Sequence, residues 1–109
     1  MFGVPEVSVE ALNRWLQEGK ELSLLDVREP QEYEICRIGG ARLIPLGQLR
    51  TRLDELEGGK DMVVYCHTGS RSSAAVRFLN STGFKNAVNL KGGIDEWARR
   101  VDPSMPRYR

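Results

Sequence analysis

Metal ligands and disulfide staples are scarce in this chain. Its 109 residues include two cysteines, Cys36 and Cys66, and one histidine, His67. Two cysteines in a domain of this size make no disulfide framework, and no Cys or His spacing fits a zinc site. Charge of one sign is lacking too: sixteen basic residues face fifteen acidic ones, for a net charge of +1. That balance gives no general pull toward nucleic acid or a membrane. No apolar run approaches the ~20 residues of a membrane span, and the segment from Met1 to Pro5 does not read as a signal peptide. A soluble cytoplasmic protein is the expectation. No G-x-G-x-x-G occurs, and Gly58-Gly59-Lys60 lacks a following Ser or Thr and precedes a strand, so nucleotide binding by a phosphate loop is set aside.

What is present centres on one stretch. Asp61 to Tyr65 is a short run rich in β-branched and aromatic residues, bounded upstream by Gly58-Gly59, and predicts a buried central strand. From Ser72 a helix is expected, with Ala75, Val76, Phe78 and Leu79 on one face and Gly83 just past its end. The loop between them reads Cys66-His67-Thr68-Gly69-Ser70-Arg71. Such a loop, feeding a helix N-terminus, turns backbone N–H groups inward and adds the positive end of the helix dipole. A cysteine at its start gains stability as thiolate, the nucleophilic form. Gly69 can adopt a left-handed conformation, and Arg71 offers a fixed cation with a fork of donors for an oxyanion. The alternative is a small buried hydrophobe at a strand end; the glycine, hydroxyls and arginine that follow Cys66 favour the anion cradle.

The remaining chain alternates strand-like and helix-like segments. Ser8 can cap a first helix with Leu12, Trp15 and Leu16 on its apolar face and Gly19 at its close. Leu22 to Val27 predicts a strand, Pro30 to Ile35 a short helix, and Ala41 to Leu46 a brief strand. Leu46, Leu49, Leu53 and Leu56 predict a third helix, Asn86 to Leu90 a last strand, and Gly92-Gly93 leads into a helix carrying Ile94, Trp97 and Ala98. The alternation predicts a single α/β domain, 1–109, with a mostly parallel sheet covered on both faces. Residues 102–109 form a tail without periodicity, expected on the surface or disordered. Ligands in such folds bind at the carboxyl ends of strands, where both Cys66 and Asp26 fall.

Asp26 and Arg28 are candidates for orienting the cradle, Asp26 because a carboxylate there could hold loop N–H groups; the alternative is a local ion pair. Arg37 and Arg42 read as solvated surface arginines. His67, adjacent to Cys66 on a tight loop, reads as an exposed residue with its imidazole unable to reach the thiolate. Cys36 reads as structural, with a resolving role toward Cys66 the lesser alternative. Trp15 and Trp97 read as core.

Leu24 to Glu29 with Glu32-Tyr33-Glu34, Arg37-Ile38-Gly39-Gly40-Ala41 and Ile44-Pro45-Leu46 make one motif, Val64 to Ser72 a second, and Gly83-Phe84 with Asn89 to Ile94 and Trp97 a third. In this order the three resemble the rhodanese family. The segment from Glu34 to Ile38 and the tail look like the rhodanese domains fused to adenylating enzymes of molybdopterin and thiamine sulfur transfer. Arg37 stands where many family members have His. The resemblance implies a rhodanese-like three-layer fold with about five strands and sulfur transfer through a Cys66 persulfide. His67 to Ser72 would be the binding loop, with Arg71 on the sulfonate end of a donor such as thiosulfate. No cofactor is implied. A sulfur-carrier protein or cysteine desulfurase would be met in trans. Two rival readings are a cysteine phosphatase or arsenate reductase, and a non-catalytic binding module.

Overall fold

Alternation along one strand sets the architecture. In the computed structural model, which describes residues 3–109, Asp61–Tyr65 forms the strand β4. Met1 and Phe2, inside the domain bounds read from sequence, lie outside the described residues. Val63 and Tyr65 point into one apolar cluster, and Met62, Val64 and Cys66 into another. This is the two-residue period of a strand buried on both faces.

Around it stand β1 (Glu6–Val7), β2 (Leu22–Asp26), β3 (Arg42–Leu43) and β5 (Ala87–Leu90). The order is β1-β5-β4-β2-β3 and every pairing is parallel. Helices α1 (Val9–Gln17) and α4 (Gly93–Arg100) pack together on the face of Val63 and Tyr65. Helix α3 (Ser70–Ser81) covers the face of Met62, Val64 and Cys66. A shorter helix, α2 (Pro30–Ile35), follows β2. The three layers expected from sequence are therefore present.

Local chemistry accounts for most boundaries. Ser8 caps α1 by accepting the Ala11 N–H at 3.1 Å. Glu29 and Glu32 form a capping box at α2, with Pro30 opening the helix. α3 starts at Ser70, two residues earlier than expected, because Gly69 takes φ 118° and lets the chain turn at once.

Two expectations are corrected and one strand is added. The third helix is a pair of 3-10 turns, Leu46–Thr51 and Leu53–Glu55. Leu46 and Leu49 are three apart, as are Leu53 and Leu56, which suits three residues per turn; the four-residue step between the pairs spans a break at Arg52 (φ −123°, ψ 22°). Strand β1 has no sequence signal, being two residues between Pro5 and the Ser8 cap. Leu16 is exposed and Trp15 half-buried against the core edge, whereas Trp97 is buried.

The 102–109 tail packs against the α1/α4 face through Met105 and Tyr108. Its anchor is Arg28, whose side chain is fully buried beside an equally buried Asp26. The guanidinium donates to Asp26 Oδ2 at 2.6 Å, the Cys36 carbonyl at 2.7 Å and the Tyr108 hydroxyl at 3.0 Å. These bonds tie β2, the end of α2 and the tail to one side chain. Removing one member of a buried pair strands the other charge, so Arg28→Ala should cost about 3–5 kcal/mol in urea unfolding. An unchanged midpoint would show that the pin does not hold the fold together.

Candidate active site

Parity along β4 puts the Cys66 side chain under the N-terminus of α3, with the residue only 1 % exposed. Its Sγ accepts the Gly69 N–H at 3.1 Å and lies 3.3 Å from the Ser72 hydroxyl. The expected ring of inward amides is thus one amide and one hydroxyl around the sulfur. Ser72 is also 2.5 Å from Asn89 Oδ1. A hydroxyl has one proton, so Ser72 donates to Asn89, to the sulfur or to the Gly69 carbonyl 3.3 Å away, and rotation of one bond exchanges them. Asn89 is buried on β5, on the same face as Ala87, and its amide nitrogen reaches the Gly69 carbonyl and Glu6 Oε2, each at 3.4 Å.

The loop is held from its other side. The Ile94 N–H donates to the Cys66 carbonyl at 2.9 Å and the Asp95 N–H to the His67 carbonyl at 3.0 Å. These are free N–H groups of the first turn of α4. Within a trans peptide C=O and N–H point opposite ways, so this capture turns the N–H groups of His67 and Thr68 away from α4. A Cβ at Gly93 would lie 2.4 Å from the His67 oxygen and 2.6 Å from that of Cys66. Only glycine permits this approach.

The remaining candidates separate into groups. Thr68, Gly69 and Ser70 border an open groove of about 860 Å³ shared with Lys91, Gly92 and Glu96. Arg71 does not reach into the loop; it makes a two-pronged pair with Glu32, at 2.7 Å and 2.9 Å. The Tyr108 hydroxyl donates to the same carboxylate at 2.7 Å, and the Glu29 N–H does so at 3.0 Å. The Arg71 guanidinium and partial burial act in opposite senses on Glu32, and the bonds win, holding its pKa down at about 2. The same carboxylate raises the pKa of Arg71, and the nearby Cys66 adds to the rise.

Asp26 and Arg28 do not meet the cradle. Asp26 is in register with Tyr65, whose side chain lies on the face opposite Cys66, and its carboxylate accepts from the Arg28 N–H and guanidinium. Asp26 therefore does not hold the loop N–H groups expected on it; the Gly69 N–H donates to the Cys66 sulfur instead. His67 is not the exposed residue expected: its ring stacks on Tyr108 at 4.1 Å between centroids. Its Nε2 is buried and has no hydrogen-bond partner among the described residues, lying 4.0 Å from Asp95 Oδ1. Arg42 pairs with Glu55, and Arg37 lies over Tyr33. The two thiols are free and buried, and they belong to different core clusters. Among the described residues no three His, Cys, Asp or Glu side chains converge as a metal set, and no helix is long and apolar enough to cross a membrane.

Comparison with known proteins fits this arrangement. Residues 8–100 match the model of the rhodanese-like domain. The chain belongs to that family. It is 39 % identical over 104 residues to the "Probable adenylyltransferase/sulfurtransferase MoeZ" of Mycobacterium tuberculosis, covering 94 % of this chain and 26 % of that protein. Against a "Sulfurtransferase" of Allochromatium vinosum it is 34 % identical over 100 residues, covering 92 % of this chain and 94 % of the relative. A crystal structure of a rhodanese-related protein from Thermoplasma volcanium superposes with a TM-score of 0.82 at 34 % identity, over 89 % of this chain and 93 % of that one. This rhodanese domain thus spans about a quarter of one curated relative and nearly all of another. Sulfur transfer in general is what such relatives support.

Four site residues were not singled out from sequence: Asn89, Glu32, Gly93 and Tyr108. Asn89 could have been found as the polar residue amid the short apolar run Ala87–Leu90, and Glu32 as the third residue of a capping box. Nothing in the periodicity marks Tyr108.

Two outcomes are expected. Gly93→Ala should destabilise the domain by more than the ~1–2 kcal/mol of a left-handed non-glycine residue, because its Cβ meets backbone. Gly83→Ala, at φ 107° with nothing among the described residues within 4 Å of the added Cβ, should cost only that strain. Urea unfolding of both variants makes the comparison. Separately, a depressed carboxylate stabilises the fold above its unfolded pKa and loses that effect as pH falls through the folded value. Wild type should therefore exceed Glu32→Gln in unfolding free energy by a constant margin from neutral pH to about 4.5, and the margin should close toward pH 2.

Proposed function

We propose that the domain is a sulfurtransferase that carries sulfane sulfur as a Cys66 persulfide. The observation that supports this most is the Cys66 sulfur under the α3 N-terminus, accepting the Gly69 N–H with the Ser72 hydroxyl at hand. Preorganised donors of this kind favour an anionic sulfur over a neutral one.

With thiosulfate as the simplest donor, the Cys66 thiolate attacks the outer sulfur. A Cys66 S–S bond forms, the donor S–S bond breaks, and sulfite leaves with the electron pair. In the second step a nucleophile such as cyanide, a thiol or a carrier protein takes the terminal sulfur and Cys66 returns as thiolate. The scheme is covalent and two-step, so ping-pong kinetics follow. No cofactor enters it. Partners of this class are a small sulfur donor and acceptor, with a carrier protein or a cysteine desulfurase in trans, in the cytoplasm.

A phosphatase is disfavoured on three counts. Four residues separate Cys66 from Arg71, one fewer than that class uses, and the guanidinium is turned to Glu32 rather than over the loop. The burial of Cys66 likewise admits a slender reacting group better than a tetrahedral ester.

Intact mass after incubation with thiosulfate tests the proposal. Wild type should gain one sulfur atom, released by cyanide as thiocyanate, and Cys66→Ser should gain none and lose turnover by at least about three orders of magnitude. An unchanged wild-type mass with every sulfane donor would favour a binding module, and Cys66-dependent hydrolysis of an aryl phosphate would favour the phosphatase.

A further inference from the structure

Resting on the persulfide reading of Cys66, one feature bears on which donor the site accepts. The thiolate and thiosulfate repel each other, since an anion must attack a dianion. Efficient use of that donor needs a free cation at the loop. The loop supplies one cation, Arg71, and it is occupied by the two-pronged pair with Glu32. Glu32 is itself held in place: the Glu29 N–H and the Tyr108 hydroxyl donate to it, and Tyr108 accepts from the buried Arg28. The carboxylate side chain is only 16 % exposed, so solvent screens the pair less than an open surface pair. The other nearby arginine, Arg28, is taken up by Asp26. The adjacent groove is acidic on balance. Glu6, Glu10 and Glu96 line it against Lys91 and Arg100, and Arg100 is bound to both Glu96 and Glu10.

We propose that Glu32 is a specificity-determining residue: by holding Arg71 it leaves the loop without a free cation, so the site selects sulfane donors that are uncharged at the reacting sulfurs, such as a protonated persulfide, over thiosulfate. With a persulfide HS–S–R, the Cys66 thiolate attacks the outer sulfur and the donor S–S bond breaks. The outer sulfur's proton passes to the departing thiolate, leaving a Cys66 persulfide anion and the thiol HS–R. No dianion has to be bound and no dianion leaves. Glu32 acts through Arg71 and is a positioning residue in this scheme.

The test is single-turnover loading of the full chain, followed by intact mass after acid quench. Donors are thiosulfate and freshly prepared cysteine persulfide, each over a range of concentrations. Wild type should load from the persulfide at least tenfold faster per unit concentration. Glu32→Gln should shift the thiosulfate-to-persulfide ratio at least tenfold toward thiosulfate, chiefly through a lower half-saturating thiosulfate concentration. The double variant Glu32→Gln with Arg71→Gln should lose that gain, which a merely loosened structure would not. If Glu32→Gln fails to fold, Tyr108→Phe, which removes one donor to Glu32, should shift the ratio the same way to a smaller degree. An unchanged ratio in the folded variant, or a gain that survives loss of Arg71, overturns the proposal while leaving sulfur transfer by Cys66 standing. Failure of both donors to load wild-type Cys66 overturns the proposal together with the reading beneath it.

Discussion

Two hydrogen bonds from the first turn of α4 to the carbonyls of Cys66 and His67 set the conditions for the rest of the site. They fix which way those peptides face, and the peptide plane then fixes the direction of the following N–H groups. They also bring Gly93 so close to the loop that no side chain fits there. The loop is clamped between two helix N-termini: α3 offers the Gly69 N–H to the sulfur, and α4 offers its own to the loop's carbonyls. Neither helix achieves this alone, which explains why a segment remote in sequence carries part of the site.

Around the clamp the charges are arranged as two pairs with different burdens. Asp26 and Arg28 are both fully buried, and the bonds from Arg28 to the Cys36 carbonyl and Tyr108 offset the loss of water. Glu32 and Arg71 sit nearer solvent, where the pair acts less on stability than on what charge the loop presents. Tyr108 touches both pairs and stacks on His67, so the tail belongs to the site rather than trailing from it. Burial, acting first, pushes the Tyr108 phenol up to about 12, keeping the hydroxyl a donor to Glu32 across ordinary pH.

The position of Cys66 was legible because three local signals agreed: a buried strand, a glycine at a turn, and a helical face after it. The Gly69 conformation and the start of α2 at Pro30 were equally local and read correctly. What could not be read depends on contacts across the chain. Arg71 looked free because its partner is 39 residues away. Asp26 looked close to the loop because both lie at the carboxyl ends of strands, yet alternation within the sheet puts it on the other face. His67 looked exposed because the ring that covers it belongs to the last residues of the chain. The leucine spacing of 46–56 fits either helix type at three-residue steps, and only the backbone break at Arg52 separates them.

The borders of the sheet carry one more consequence. β1 and β3 lie at its two edges and are two residues long each, with Pro5 ahead of the first and Pro45 shortly after the second. The three longer strands, which carry the most apolar sequence, are all interior. A neighbouring molecule seeking to extend the sheet finds almost no ladder to copy, and proline lacks the N–H to continue one. The same topology that gathers reactive loops at one end of the strands also guards the domain against edge-to-edge aggregation.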